Sequence, residues 1–148
     1  MNMKQSSFFG LGLVAAIAVA GLAGCGSAPS GETRQTPPAR MEHIGQGDRL
    51  SVVLTPLGAR RIGIETVHAV AEGSLVVIPY SALLYEPDGQ TVVYVKVSGL
   101  VYTRQFVTVS AISGSSVVLS QGLQSGASVV IQGGEELLGV QNGVGVET

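Results

Sequence analysis

Apolar and polar positions alternate in short runs that glycine-bearing turns interrupt, a pattern that predicts strands rather than long helices. "RLSVVLT" (49–55) has strand composition, and "PLGARRIG" from Pro56 predicts one short helical turn with Thr55 as N-cap and Pro56 at the first helical position. In "IETVHAV" (64–70), Ile64, Thr66, His68 and Val70 share a face, and "SLVVIPY" (74–80) is apolar up to Pro79, which lacks an N–H and belongs at a strand edge or end. The connector between these two stretches, Ala71-Glu72-Gly73-Ser74, predicts a hairpin that brings Glu65–Val70 close to Leu75–Pro79.

Asp88-Gly89 is a second hairpin signal and leads into "TVVYVKV" (91–97), where Val93, Val95 and Val97 share a face. Ser98-Gly99 turns the chain into "LVYTRQFVTVSAI" (100–112), with Val101, Val107, Val109 and Ala111 on one face and Arg104 and Phe106 on the other. Gly114 turns it again into "SSVVLSQGL" (115–123) and "ASVVIQG" (127–133), and "EELLGVQNGVGVET" closes on an alternating Val-Gly-Val that reads as a last strand. The fold class is therefore all-β, a small barrel or sandwich of about six to seven short strands.

A different pattern precedes it. After Lys4 an apolar run, "FFGLGLVAAIAVAGLAGC", carries no charge until Glu32, and it ends on Leu22-Ala23-Gly24-Cys25, which matches a bacterial lipobox. Residues 1–24 then form a lipoprotein signal peptide, small residues at Ala23 and Gly24 fit the peptidase, and Cys25 takes the diacylglycerol. The competing reading is an uncleaved membrane helix, for which the run from Phe8 to Ala23 is short of the roughly 20 residues a span needs. Cys25 is the one cysteine, so no intramolecular disulfide forms. Two acyl chains, at about 0.8 kcal/mol per buried methylene, hold the protein at a membrane surface. Residues 25–48, rich in Gly, Pro, Ser and Thr, read as the lipidated N-terminus and a flexible tether, and residues 49–148 as one β-domain.

Composition narrows the chemistry. Charged residues are 12% of the chain, about half the roughly 25% usual in soluble domains. Beyond the leader, cations at Arg34, Arg40, Arg49, Arg60, Arg61, Lys96 and Arg104 face 10 carboxylates, and without a basic cluster larger than Arg60-Arg61 nucleic acid is not a partner. The histidines, His43 and His68, and the turn residues Asp48 and Asp88 form no triad or paired-carboxylate pattern, and Ser81 lacks the glycine-flanked elbow of a hydrolase. The chain is accordingly read as no enzyme, with no catalytic residues and no cofactor. Met41-Glu42-His43 offers soft ligands, but a flexible tether fixes too few of them, so no metal site is assigned. Arg60-Arg61 either meets lipid headgroups or an acidic partner, or is solvated surface on a short helix. Tyr80, Tyr85, Tyr94 and Tyr102 read as cross-strand packing rather than a ligand platform. What remains is binding by shape or by strand addition.

The order of "VVIPYSALL" (76–84), the Asp88-Gly89 turn before "VYVKV", and "GLQSGASVVIQGG" from Gly122 resembles the C-terminal, membrane-proximal region of periplasmic adaptor (membrane fusion) proteins of resistance-nodulation-division (RND) efflux pumps. "LSVVLTPLGARRIGIETVHAV" (50–70) is similar to the region that opens mature adaptors of the heavy-metal branch. In that family the two regions are separated by a lipoyl-like domain, an α-helical hairpin and a β-barrel; here Glu72-Gly73 stands in their place. The resemblance implies a lipid-anchored, extracytoplasmic accessory protein whose partner is an inner-membrane efflux transporter or fellow adaptor subunits, and whose lipidation residue, Cys25, holds it to the bacterial cell membrane or outer membrane. The alternatives are a small ligand-binding or sensing lipoprotein and a degenerate adaptor remnant. Gly26 lacks the aspartate that favours inner-membrane retention, so the choice of membrane stays open.

Overall fold

The computed structural model describes residues 36–44 and 49–143. The leader, Cys25, Asp48 and the Val-Gly-Val end at 144–146 lie outside the described residues. Eleven strands fall into two sheets. The strands are β1 (Ala39–His43), β2 (Leu50–Leu54), β3 (Glu65–His68), β4 (Val70–Glu72), β5 (Leu75–Pro79), β6 (Leu84–Tyr85), β7 (Thr91–Ser98), β8 (Val101–Phe106), β9 (Thr108–Ser113), β10 (Ser116–Gln121) and β11 (Ser128–Gln132). Two short helices, α1 (Pro56–Ile62) and α2 (Gly134–Gln141), complete it, so the fold is all-β as expected.

A seven-stranded sheet runs β1-β2-β8-β7-β11-β3, with β6 also paired to β7, and a four-stranded sheet runs β4-β5-β10-β9. The wide sheet is buried on both faces at its centre. On β7, Val92 and Tyr94 enter one core while Val93 and Val95 enter another, and on β11 Val130 and Val129 divide in the same way. A run of four apolar residues in a strand is what two-sided burial requires. Burial along the face of Val93 and Val95 stops short of Val97, which is 54% exposed, and the opposite face is equally buried.

The first core lies between the wide sheet and the two helices: Val52, Leu54, Leu84, Tyr94, Tyr102 and Leu137 are among its buried members. The second lies between the sheets, where Ile78, Leu83, Val107, Val117, Leu119 and Val129 meet.

The count of eleven strands against about seven expected has two physical sources. Two predicted strands each change sheets part-way, as strands do at the corners of a sandwich. The 64–70 stretch breaks at Ala69, whose N–H and C=O bond Ala127 and Gly126 at 2.8 Å each, leaving β3 in the wide sheet and β4 in the narrow one. The 100–112 stretch breaks at Val107, whose N–H donates to the Thr91 carbonyl at 3.0 Å while its own carbonyl accepts from Thr91 Oγ1 at 2.7 Å. The other source is strands that sequence missed, β1 and β6.

Strand β1 corrects the tether reading for residues 39–43. All five residues pair with β2, from Ala39 opposite Leu54 to His43 opposite Leu50. Its period-two apolar positions, Ala39 and Met41, face the first core. The segment ahead of the Val-Gly-Val end is helical. "GEELLGVQ" is helix α2, with Glu135 and Glu136 in the first turn, where carboxylates favour the helix dipole, and Leu137 fully buried.

The predicted hairpin forms at β4–β5, with Val70, Ala71 and Glu72 opposite Val77, Val76 and Leu75. Its two-residue loop places Gly73 at φ 61, a left-handed conformation that glycine adopts without strain. Glu65–His68 instead pairs with β11, although Val67 packs on the same core as Val76. Helix α1 begins as the sequence predicts. Thr55 Oγ1 accepts from the Gly58 N–H at 3.0 Å and Pro56 occupies the first turn.

Candidate interaction surface

The residues that suggested chemistry are dispersed. Met41 packs on the first core, Glu42 pairs with Arg40, and strand alternation turns Glu42 away from its neighbours Met41 and His43, so the three do not converge. Among the described residues no group of three His, Cys, Asp or Glu side chains is placed to hold a metal ion. His68 Nδ1 lies 3.1 Å from the Gly126 carbonyl, where an N–H on that nitrogen ties β3 to the loop before β11. Asp88 caps its own turn, and the Gln90 backbone N–H, then the Gln90 side chain, hold its carboxyl below the ordinary carboxylate value. Ser81 sits exposed in a single 3-10 turn at Tyr80–Ala82.

The tyrosines divide. Tyr94 and Tyr102 are fully buried in the first core, and desolvation raises both hydroxyls above the ordinary 10.0. Tyr94 Oη donates to Gln141 Oε1 at 2.6 Å, which ties the centre of the wide sheet to the end of α2. Tyr80 and Tyr85 are exposed, so the packing reading is corrected for this pair; a hydrogen bond from the Tyr85 hydroxyl to Tyr80 raises the Tyr85 pKa above its ordinary value.

One constellation was not read from sequence. Arg104 and Phe106 lie two apart on β8 and share a face, with the guanidinium carbon 5.1 Å from the ring centroid. The same guanidinium pairs with Glu86, and both side chains are mostly buried, at 24% and 13% exposure. Arg104 and Phe106, with Arg49, Leu50, Gln124 and Gln141, line an open groove of about 790 Å³. The Arg-x-Phe spacing of β8 and a carboxylate heading the Asp-Gly hairpin were the available signals, but linking them needs the pairing of β7 with β8. Glu86 neutralises Arg104, so that guanidinium is committed to the pair, and Arg49 is the other cation of the groove.

The remaining exposed apolar positions, Leu57, Val70, Tyr85, Val97, Phe106 and Ile112, are spread over both sheets and α1. Among the described residues β9 is an edge strand, paired only to β10 and without a charged residue, open to strand addition. No described helix is long and apolar enough to cross a membrane.

Comparison with known proteins agrees with this geometry. Residues 74–136 match the family described as RND MFPs, C-terminal permuted SH3 domain. No curated protein and no solved structure matches the chain. The matched segment runs from the β4–β5 turn into the first turn of α2 and encloses nearly all of the second core. Residues 74–136 are thus a C-terminal domain of the membrane fusion protein (MFP) family of RND systems.

Proposed function

We propose that the protein is a lipid-anchored extracytoplasmic adaptor subunit, held at the membrane through Cys25, that binds an RND-type efflux transporter and supports export. The match of residues 74–136 to the family's C-terminal domain carries the proposal. The β4–β5 hairpin supports it in a second way, since it closes the domain at Gly73-Ser74 without any intervening arm. The role assigned is accordingly the membrane-proximal contact alone, not the reach to an outer channel. Two packed valine-rich interiors, rather than a cavity of convergent polar groups, favour an interaction protein over a ligand-binding module.

The test is affinity purification of the full chain from membranes. An RND transporter is expected to co-purify, and replacing exposed Phe106 and Tyr85 by serine is expected to reduce its recovery roughly tenfold, the scale of an aromatic contact. Recovery of no transporter would overturn the assignment. For the anchor, Cys25→Ser is expected to abolish incorporation of labelled fatty acid.

A further inference from the structure

We infer that the outer face of α1, made by Leu57, Arg60 and Arg61, docks on anionic phospholipid headgroups. The inference rests on the anchor at Cys25 and adds where the folded domain meets the bilayer. The helix buries Gly58 and Ala59 and turns Leu57 outward, 49% exposed. Arg60 and Arg61 follow at the third and fourth positions after it, so all three share one face. Arg40 and Arg104 are each held by a glutamate, whereas Arg60 and Arg61 have no ion pair or hydrogen bond from their side chains among the described residues. The helix dipole accounts for cations in the last turn. It does not account for a leucine left in water one turn earlier. An apolar side chain flanked by two guanidiniums is the arrangement that enters a headgroup layer, leucine toward the acyl boundary and the forked N–H groups on phosphate.

The path of the chain orients this face. The Pro38 carbonyl accepts from the Thr55 N–H at 3.0 Å and from Thr55 Oγ1 at 3.3 Å. A Cβ on Gly58 would lie 2.2 Å from the same oxygen, so the incoming segment is pressed against the first turn of α1. The chain that leads back to Cys25 therefore joins the fold beside the proposed docking face. The thirteen residues from Gly26 to Pro38 can span at most roughly 45 Å. An anchored Cys25 thus keeps α1 at high effective concentration near the headgroups, where a contact too weak to recruit a free protein is sufficient. With a net charge of −2 the protein has no general attraction to an anionic surface, so the contact depends on local cations; Arg49 and Lys96 also lack an ion pair among the described residues but stand singly, whereas Arg60 and Arg61 are adjacent and beside Leu57.

The chain contains no tryptophan, so Leu57→Trp in the full lipidated protein provides a single reporter, and Ile112→Trp, on the outer edge of the narrow sheet, a control. Each is reconstituted in phosphatidylcholine vesicles with and without phosphatidylglycerol, using brominated acyl chains as quencher. Quenching and a blue shift are expected at position 57 in anionic vesicles and not at 112. Adding Arg60→Gln and Arg61→Gln is expected to lower the docked-to-undocked ratio roughly thirtyfold, at about fivefold for each arginine near an anionic surface. Vesicle flotation reads the anchor separately. A protein that floats but leaves the indole at position 57 unquenched overturns the docking face and leaves the anchor intact, as an acidic protein partner for α1 would. Equal quenching at 57 and 112 also overturns it, because tethering alone would then explain both. If the protein does not float, the anchor reading fails and the docking face, which works only through that anchor, is overturned with it.

Discussion

The two interiors of this domain differ in where their residues come from. Nine of the ten buried residues of the second core fall within the matched segment 74–136, Ala69 being the exception. Of the ten in the first core, Ala39, Val52, Leu54, Ala59 and Leu137 come from outside it. The family domain thus brings its own interior between the sheets together with an apolar back, and the flanking segments exist to cover that back. Since β7 and β11 contribute to both cores, the covering is not an independent module. It is a condition for the central strands to be stable at all.

The severest test is to remove the cover. A chain cut to residues 74–136 leaves Val92, Tyr94 and Tyr102, each fully buried here, without the strands and helices that pack on them. At about 1.5–3 kcal/mol for each large apolar side chain, the loss exceeds roughly 5 kcal/mol, comparable to the whole stability of a small domain. The fragment is expected to bind a hydrophobic dye and melt without a cooperative transition, whereas residues 36–143 melt cooperatively. A sharp melt for the fragment alone would show that the second core is self-sufficient and break the comparison.

Point changes at two glycines sharpen it. At Gly122, with φ 96, a Cβ would lie 2.0 Å from the Phe106 carbonyl and 2.7 Å from Val107 Cα, where the exit from β10 crosses the β8–β9 corner. Gly122→Ala combines left-handed strain with backbone overlap against Val107, a member of the second core, and is expected to cost about 3–4 kcal/mol by chemical denaturation. At Gly58 a Cβ meets the Pro38 carbonyl at 2.2 Å and the Thr55 hydroxyl at 3.2 Å, where the chain before β1 lies against α1, without left-handed strain. For Gly58→Ala a cost of about 1–2 kcal/mol is expected, with faster proteolysis before Leu50 and unchanged amide exchange in β10. Equal global losses from the two substitutions would mean that the first core is as inflexible as the second.

What sequence could and could not supply follows the same division. Local signals marked the glycine turns, the Thr55 cap and most strand positions, because each depends on a few adjacent residues. The switches at Ala69 and Val107 left no mark, since a strand that changes sheets keeps its apolar alternation while its partners change. Strand β1 was hidden by the Pro- and Gly-rich residues around it, although Ala39 and Met41 carry the period-two pattern. The family likeness was legible from the order of weak motifs. The Glu86–Arg104–Phe106 group was not, since it joins two hairpins through strand pairing.

A smaller effect is expected where α1 starts. Thr55→Ala removes the acceptor for the Gly58 N–H and the hydroxyl contact to Pro38. The expected cost is about 1 kcal/mol, seen as a lower midpoint with an unchanged denaturant slope. A loss several times larger would mean that α1 holds the whole first core in place rather than capping it.

The smallest expected change at neutral pH, and the one that separates burial from hydrogen bonding in the first core, is Tyr94→Phe. It deletes the bond to Gln141 but keeps the ring, and Gln141 is only partly buried, so water can replace the lost partner. The cost at neutral pH is expected to be at most about 1 kcal/mol. Alkaline pH changes the balance. Burial raises the Tyr94 hydroxyl above its ordinary 10.0, so above pH 10 the unfolded chain gives up the proton while the folded chain retains it. The unfolded state then binds fewer protons and stability falls as pH rises. The contribution is complete below pH 10 and is lost as pH climbs toward the folded value. Tyr102 shifts in the same direction and remains in the variant. Urea midpoints measured from pH 8 to 11.5 are therefore expected to decline less steeply for Tyr94→Phe than for the wild type, with the two curves converging at the alkaline end. Parallel curves would mean that the ring is buried but its hydroxyl is not, and that the contact between β7 and α2 does not close this side of the core.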